Sequence, residues 1–235
     1  MQRYSVIKDK NPREIVLLRG RGCRYKRCAF CDYHEDASLD EQGNFLINRD
    51  VLSCVTGEYG VLEVINSGSF CELDDNTMSL ILNVCKARFI KTVHFECHWL
   101  YRNFIPKLRT QFAQIGVRLK IKTGIETFDA EYRERVMLKG IRETDPKALS
   151  EGFDECCLLF GLPGQTVKSM KNDITTGLKW FSRVCVNLMV ENSAKLKPDY
   201  SVRELFMNEV YPLYKDSERV DVLLNNTDFG VGNKD

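Results

Sequence analysis

Short apolar runs that stop at glycine or polar residues alternate along this chain with segments of helical spacing, and that alternation limits most what it can fold into. Residues 13–19 carry Ile15-Val16-Leu17-Leu18 and stop at Gly20 and Gly22. Residues 61–66 stop at Ser67-Gly68-Ser69, and residues 118–123 stop at Gly124. Residues 92–97, 153–160 and 184–190 complete the expected strands, with Gly161-Leu162-Pro163-Gly164 closing the run at 153–160. Between them, 75–87 puts Met78, Ile81, Leu82 and Cys85 on one helical face, and 99–114, 129–138 and 165–182 also have helical spacing. Strand–helix alternation of this kind predicts an α/β fold with a parallel sheet and helical crossovers. The units fall short of a closed eight-unit barrel, so an open partial barrel and a flat doubly wound sheet both fit. A helix over 202–211, a strand over 220–224 and the polar loop Asn225-Asn226-Thr227-Asp228 follow. With no repeat and no long linker, residues 1–235 read as one domain with a short C-terminal extension from about residue 200.

The decisive stretch follows the first strand: Gly22-Cys23-Arg24-Tyr25-Lys26-Arg27-Cys28-Ala29-Phe30-Cys31-Asp32-Tyr33-His34. Its three thiolates can converge on one metal centre, and Lys26 and Arg27 supply charge that lowers thiolate pKa and offsets an anionic cluster. A zinc site would add His34 as a fourth ligand. Three cysteines without a fourth suit an iron–sulfur cluster with one open iron. The chain has ten cysteines, and the other seven are expected to be small buried residues. Residues 1–12 carry no apolar signal segment, and no apolar run approaches the ~20 residues of a membrane span. A cytosolic protein is expected, in which clustered cysteines bind metal and do not form disulfides. The net charge of +1 gives no global pull toward nucleic acid or membrane, which favours a small-molecule partner.

The cysteine stretch resembles the signature of the radical S-adenosylmethionine (SAM) superfamily, Cys-x3-Cys-x-aromatic-Cys, with a first gap of four residues in place of three. The resemblance implies an open partial (β/α)6 TIM-like barrel of the radical SAM type. It further implies a [4Fe–4S] cluster on Cys23, Cys28 and Cys31, whose fourth iron takes the amino and carboxylate groups of SAM. Phe30 would pack near the adenine, and the backbone at Tyr33 would bind its amine. Asn66, Ser67, Gly68 and Ser69 stand where the family's Gly-Gly-Glu segment holds the SAM amino group, without the glutamate. Gly124-Ile125-Glu126-Thr127 resembles the Gly-x-Glu-[Ser/Thr] segment of several subfamilies. Gly161-Leu162-Pro163-Gly164-Gln165-Thr166 resembles a hexapeptide of coproporphyrinogen-dehydrogenase-like members, which brings Leu162 to the site wall. A simple turn before a helix would explain that loop equally.

Polar residues at strand ends complete the expected site. Glu96, alternating with His94 and His98, is a candidate for the SAM ribose or methionyl amine, as is Glu126; solvated positions are the alternative. Glu191 and Asn192 close the sixth expected strand, and Asp228 sits in the last polar loop. A carboxylate there can accept two hydrogen bonds from a guanine-like edge. In size, in its widened cysteine gap and in its short tail, the chain resembles the small radical SAM lyases that free queuine, a 7-deazaguanine base, from queuosine 5′-phosphate. That resemblance implies a 5′-deoxyadenosyl radical, a nucleoside or nucleotide substrate, cleavage of a C–N glycosidic bond, and an electron donor such as flavodoxin or ferredoxin. Another radical SAM reaction on a metabolite or tRNA, and a non-enzymatic zinc-binding α/β module, are the alternatives.

Overall fold

Parallel strands demand long crossovers, and the chain supplies them in two compact units. The computed structural model describes residues 1–232, the side chain of His34 excepted. The first unit contains Met1–Arg24, Tyr33–Ile121 and the chain from Phe229. Its strands β1 (Tyr4–Ile7), β2 (Arg13–Leu18), β3 (Val61–Asn66) and β4 (Thr92–Glu96) neighbour one another in chain order. β1 is antiparallel to β2, whereas β2, β3 and β4 are parallel. Ile15, Val16 and Leu18 are fully buried, as the continuous apolar run of a strand covered on both faces requires. Helix α1 (Glu41–Leu52) links β2 to β3, and α2 (Asp75–Ala87) links β3 to β4. α3 (Ile105–Ala113) precedes β5 (Arg118–Glu126), which begins in this unit and ends in the next.

Several expectations are corrected here. α1 and β1 carried no clear apolar period. The buried face of α1 includes Asn44 and Asn48, and Asn48 works as a clamp: it accepts from Arg19 N–H at 2.7 Å and donates to Arg19 C=O at 2.8 Å. The buried centre of α2 is Thr77, Ile81 and Cys85, with Met78 and Leu82 beside it. Residues 99–114 are not one helix. A 3-10 segment, Trp99–Phe104, gives way to α3 at Pro106, which lacks the N–H an interior position would need. Cys54, expected inside, is exposed, and Cys71 and Cys157 are half-buried; Cys85, Cys97, Cys156 and Cys185 are buried.

The second unit contains Tyr25–Asp32 and Lys122–Asp228. The end of β5, then β6 (Glu155–Phe160), β7 (Arg183–Leu188) and β8 (Val220–Leu223), are parallel and in chain order. Short helices α4 (Ala130–Arg135) and α5 (Pro146–Ser150) separate β5 from β6, and α6 (Val167–Trp180) separates β6 from β7. The expected C-terminal helix over 202–211 is broken into α7 (Tyr200–Leu205), a π turn at Phe206–Val210 and α8 (Tyr211–Tyr214), which carries a proline in its first turn. Asp40, Asp74, Asp129, Asp145, Thr166 and Asp199 each cap the helix that follows by accepting its first N–H groups. Arg183 on β7 reaches Glu155 on β6 and Asp221 on β8, both at 2.8 Å. Among the described residues no helix is long and apolar enough to cross a membrane.

Asp173, buried on α6, makes stability depend on pH. Burial pushes its carboxyl from the ordinary 3.8 up to about 6, against the N–H of Phe128 at 2.8 Å and the Thr127 hydroxyl, which stabilise the anion. A folded pKa above the unfolded one favours folding fully below about pH 4, and that contribution is lost as pH rises through 6. Asp173→Asn should remove this dependence. In urea titrations, wild type relative to the variant should lose roughly 1–3 kcal/mol between pH 4 and pH 7. A constant difference across that range would refute the assignment.

Candidate active site

In the first unit, β3 ends in the turn Ser67-Gly68-Ser69 and a short 3-10 segment, Phe70–Glu72. Ser67 C=O accepts the Cys23 N–H at 3.0 Å. The Ser67 hydroxyl donates to Asp36 C=O at 2.7 Å. Glu72, only 1% exposed, accepts from Arg24 N–H and from Ser69 N–H, each at 2.7 Å. Its main-chain oxygen accepts from Arg21 N–H at 3.1 Å. Gly68 is the one residue that fits beneath this carboxylate, since a Cβ there would also lie 3.0 Å from the Cys23 nitrogen. Asn66 donates to Ser69 C=O at 3.1 Å, while its buried Oδ1 has no hydrogen-bond partner among the described residues. The half-buried Cys71 has its thiol pushed up to about 11 by burial and by Glu72, so it stays protonated near neutral pH. Glu96 ends β4 half-buried, and His94 is buried within that strand. His98 caps the 3-10 segment after it, its backbone N–H donating to Ser69 Oγ at 2.9 Å. Tyr33 is 56% exposed, and its carbonyl accepts from Asp36 N–H at 3.3 Å.

In the second unit, the arm Tyr25–Asp32 is held along its length. Tyr25 donates from its hydroxyl to Leu138 C=O at 2.8 Å, and Ala29 N–H donates to Met137 C=O at 2.9 Å. The Asn192 amide donates to Phe30 C=O at 2.9 Å. Leu196 N–H donates to Ala29 C=O at 2.8 Å, and Ser193 N–H to the Asp32 carboxylate at 3.1 Å. The Phe30 ring packs on the apolar cluster Met137, Leu159, Leu162 and Met189. Gln165 closes the Gly161–Gly164 turn, accepting from Leu162 N–H at 3.0 Å and donating to Leu159 C=O at 2.9 Å. β5 does not stop at Gly124 as expected. It bulges there and runs on to Glu126, whose φ of 67° is unusual outside glycine. Glu126 pairs with Lys139 at 2.6 Å, both nearly buried. Gly124 leaves room for the pair, because a Cβ there would sit 2.9 Å from Lys139 Nζ. Burial alone would lower the Lys139 pKa, but the Glu126 carboxylate and then Cys28 raise it above the ordinary lysine range. The ammonium lies 5.5 Å from the centre of the Phe30 ring, within reach of a cation–π contact.

No family model matches this chain, and no curated protein does. Among solved structures, the queuine lyase from Clostridium spiroforme bound to SAM and queuine shares 41% identity over 99% of this chain and 100% of that one, with a TM-score of 0.93. The chain belongs to the queuine lyase family. Methylornithine synthase is similar at 13% identity, covering 88% of this chain and 63% of that one, with a TM-score of 0.60. SuiB of Streptococcus suis bound to S-adenosylmethionine is similar at 15% identity, covering 89% and 49%, with a TM-score of 0.53. These two show the fold alone, and it is the partial TIM-like barrel expected of radical SAM enzymes. Membership of the queuine lyase family decides for an enzyme over the zinc-module alternative; the side chain of His34, which that alternative needed, lies outside the described residues.

All ten cysteines of this queuine lyase family member stand as thiols, and Cys23, Cys28 and Cys31 are half-buried on secured segments. Three accessible thiols and the unpartnered Asn66 Oδ1 suit a cluster and the ammonium of SAM. Among the described residues no group of three or more His, Cys, Asp or Glu is gathered tightly enough to hold a metal ion. The structure brings Phe30, Leu162, Asn192 and Glu126 together around the arm, the last through Lys139. It uses other expected residues differently. Both amide groups of Asn192 are engaged, since its oxygen accepts from Ala194 N–H at 3.0 Å. Asp228 accepts from Leu224 N–H at 2.6 Å and Asn225 N–H at 2.9 Å, which closes its own turn. Glu191 is exposed, accepting from the Tyr200 hydroxyl at 3.2 Å. Glu72 and Lys139 escaped notice in the sequence. Glu72 stands four residues after Gly68, whereas Lys139 lies beyond α4 with no local pattern to mark it.

Proposed function

We propose that this chain is a radical SAM lyase that frees queuine from queuosine 5′-phosphate by cleaving the C–N glycosidic bond. The observation that carries this reading is 41% identity, end to end, with a lyase bound to SAM and queuine. Cys23, Cys28 and Cys31 hold the [4Fe–4S] cluster, which with SAM supplies one-electron cleavage and so hydrogen abstraction from an unactivated carbon. Phe30 and Leu162 form the apolar wall for the adenine, with the backbone at Tyr33 on its amine. Asn66 and the Ser67-Gly68-Ser69 turn take the methionine end, with Glu96 and Glu126 on the polar groups of SAM. The cluster would take its electron from a donor such as flavodoxin or ferredoxin. Glu191 reads the base edge, and it is favoured over Asp228 because Asp228 is consumed by its turn. Asn192 serves the substrate side through the arm it ties down.

The test is to incubate reduced, cluster-loaded enzyme with SAM and queuosine 5′-phosphate and to measure free queuine and 5′-deoxyadenosine. Both should form together. If neither forms with a full cluster, the substrate is wrong. Glu191→Gln should weaken substrate use by about tenfold or more while uncoupled SAM cleavage persists, since charge-assisted hydrogen bonds are worth roughly 1.5–3 kcal/mol each. An unchanged KM for the nucleotide would remove Glu191 from the site.

A further inference from the structure

We propose that Glu72 is a positioning residue that locks the Cys23 segment to the Ser67–Ser69 turn and so sets the affinity for SAM. The inference rests on the reading above, in which Cys23 holds the cluster and the turn takes the methionine end of SAM. Glu72 lies three residues beyond Ser69, in the 3-10 segment that leaves the turn. One carboxylate oxygen accepts from Arg24 N–H and the other from Ser69 N–H, each at 2.7 Å. Two further bonds run alongside: Arg21 N–H to the Glu72 main-chain oxygen at 3.1 Å, and Cys23 N–H to Ser67 C=O at 3.0 Å. Residues 21, 23 and 24 are thus tied to 72, 67 and 72 in turn, and the carboxylate spans the gap between the cysteine and the turn.

The side-chain chemistry explains why an acid stands here. Burying a carboxylate is costly unless its oxygens are hydrogen-bonded. Capping a short 3-10 segment would need only one acceptor, which serine or glutamine supplies. Two N–H donors arriving from two different segments need two acceptor atoms on one planar group, and only Asp or Glu carries that. The surroundings are close-packed: Gly68 underlies the carboxylate, and a Cβ on Gly20 would lie 2.8 Å from the Glu72 main-chain oxygen. The turn that lacks a glutamate in its own sequence is therefore held by one from three residues downstream. SAM must meet the open iron and the turn at once, so a shift of either relative to the other is read directly in its binding.

Glu72→Gln keeps one acceptor and turns an NH2 toward the other N–H, so one tether is lost while volume is preserved. Glu72→Asp keeps both oxygens but withdraws them by one methylene. Wild type and both variants are reconstituted anaerobically, and iron content, the electron paramagnetic resonance (EPR) signal of the reduced cluster titrated with SAM, and steady-state kinetics are compared. The expected result is near-normal iron, a SAM-dependent EPR change that needs about tenfold more SAM in either variant, and a kcat at saturating SAM within about threefold of wild type. Amide exchange of the peptide spanning Cys23 should speed in the metal-free variants. SAM affinity within about twofold of wild type in a folded, loaded variant overturns the proposal; so does a variant whose affinity loss tracks lost iron alone. If Glu72→Gln does not fold, Glu72→Asp decides by the same criteria. A wild type that binds no SAM fails the radical SAM reading itself, whereas a wild type that binds and variants that match it fail only the role of Glu72.

Discussion

Cys28→Ala should leave no SAM cleavage while leaving the fold in place. The wild type, reconstituted anaerobically, should hold about four irons and four sulfides per chain, and each of Cys23→Ala, Cys28→Ala and Cys31→Ala should lose most of them. The arm carrying Cys28 and Cys31 does not depend on metal for its position. Ala29 N–H on Met137, the Asn192 amide on Phe30 C=O and Leu196 N–H on Ala29 C=O hold it from both sides. The Phe30 ring adds apolar contact with Met137, Leu159, Leu162 and Met189. Metal-free Cys28→Ala and metal-free wild type should therefore unfold within about 3 °C of each other, because neither exchanges a buried contact. Cys54→Ala, an exposed thiol after α1, is the control and should keep iron and activity. Full 5′-deoxyadenosine formation by Cys28→Ala would end the cluster assignment.

What could be read in the sequence depended on whether a residue acts through a local pattern. β2, β3 and β6 announce themselves because Ile15-Val16-Leu17-Leu18, Val61–Asn66 and Glu155–Phe160 are apolar runs cut off by glycine or serine. The Cys23, Cys28 and Cys31 spacing is equally local. α1 was hidden because its buried face uses Asn44 and Asn48, chosen to hydrogen-bond a strand end and not to exclude water. β1 is only four residues long and gains its place by antiparallel pairing with β2, which no period of its own foretells. β5 outran its expected end because Gly124 breaks no strand: it makes room for an ion pair formed by two residues thirteen positions apart. Glu72 and Lys139 share that character. Each is a single charged residue whose meaning lies in groups brought to it by the fold, and a single sequence carries no mark of such encounters.

Lys139→Met should destabilise the metal-free protein by roughly 3–5 kcal/mol, because it leaves the Glu126 carboxylate buried without its cation. For a chain of this length that is a fall in Tm of about 6–20 °C, at 2–4 °C per kcal/mol. The pair is nearly dry, with side-chain exposures of 9% and 8%, so solvent cannot make good the loss. Glu126→Gln should also be costly, since it removes the charge that the Lys139 ammonium meets at 2.6 Å. The double variant Lys139→Met with Glu126→Gln should recover much of the loss, since replacing both charges removes the desolvation penalty along with the attraction. Recovery would be incomplete on one account. Glu126 sits at φ 67° in the bulge of β5, and the ion pair is part of what holds that backbone there. A double-variant cycle in thermal or urea denaturation measures the coupling, and the expected value is at least about 2 kcal/mol. Additive single losses would show that the two side chains are stabilised separately, and Lys139 would then have no claim to hold Glu126 beside Phe30. With coupling confirmed, the functional consequence follows from the same geometry. Lys139 faces the Phe30 ring at 5.5 Å, so if Phe30 is the adenine wall proposed above, removing Lys139 should raise KM for SAM more than it lowers kcat.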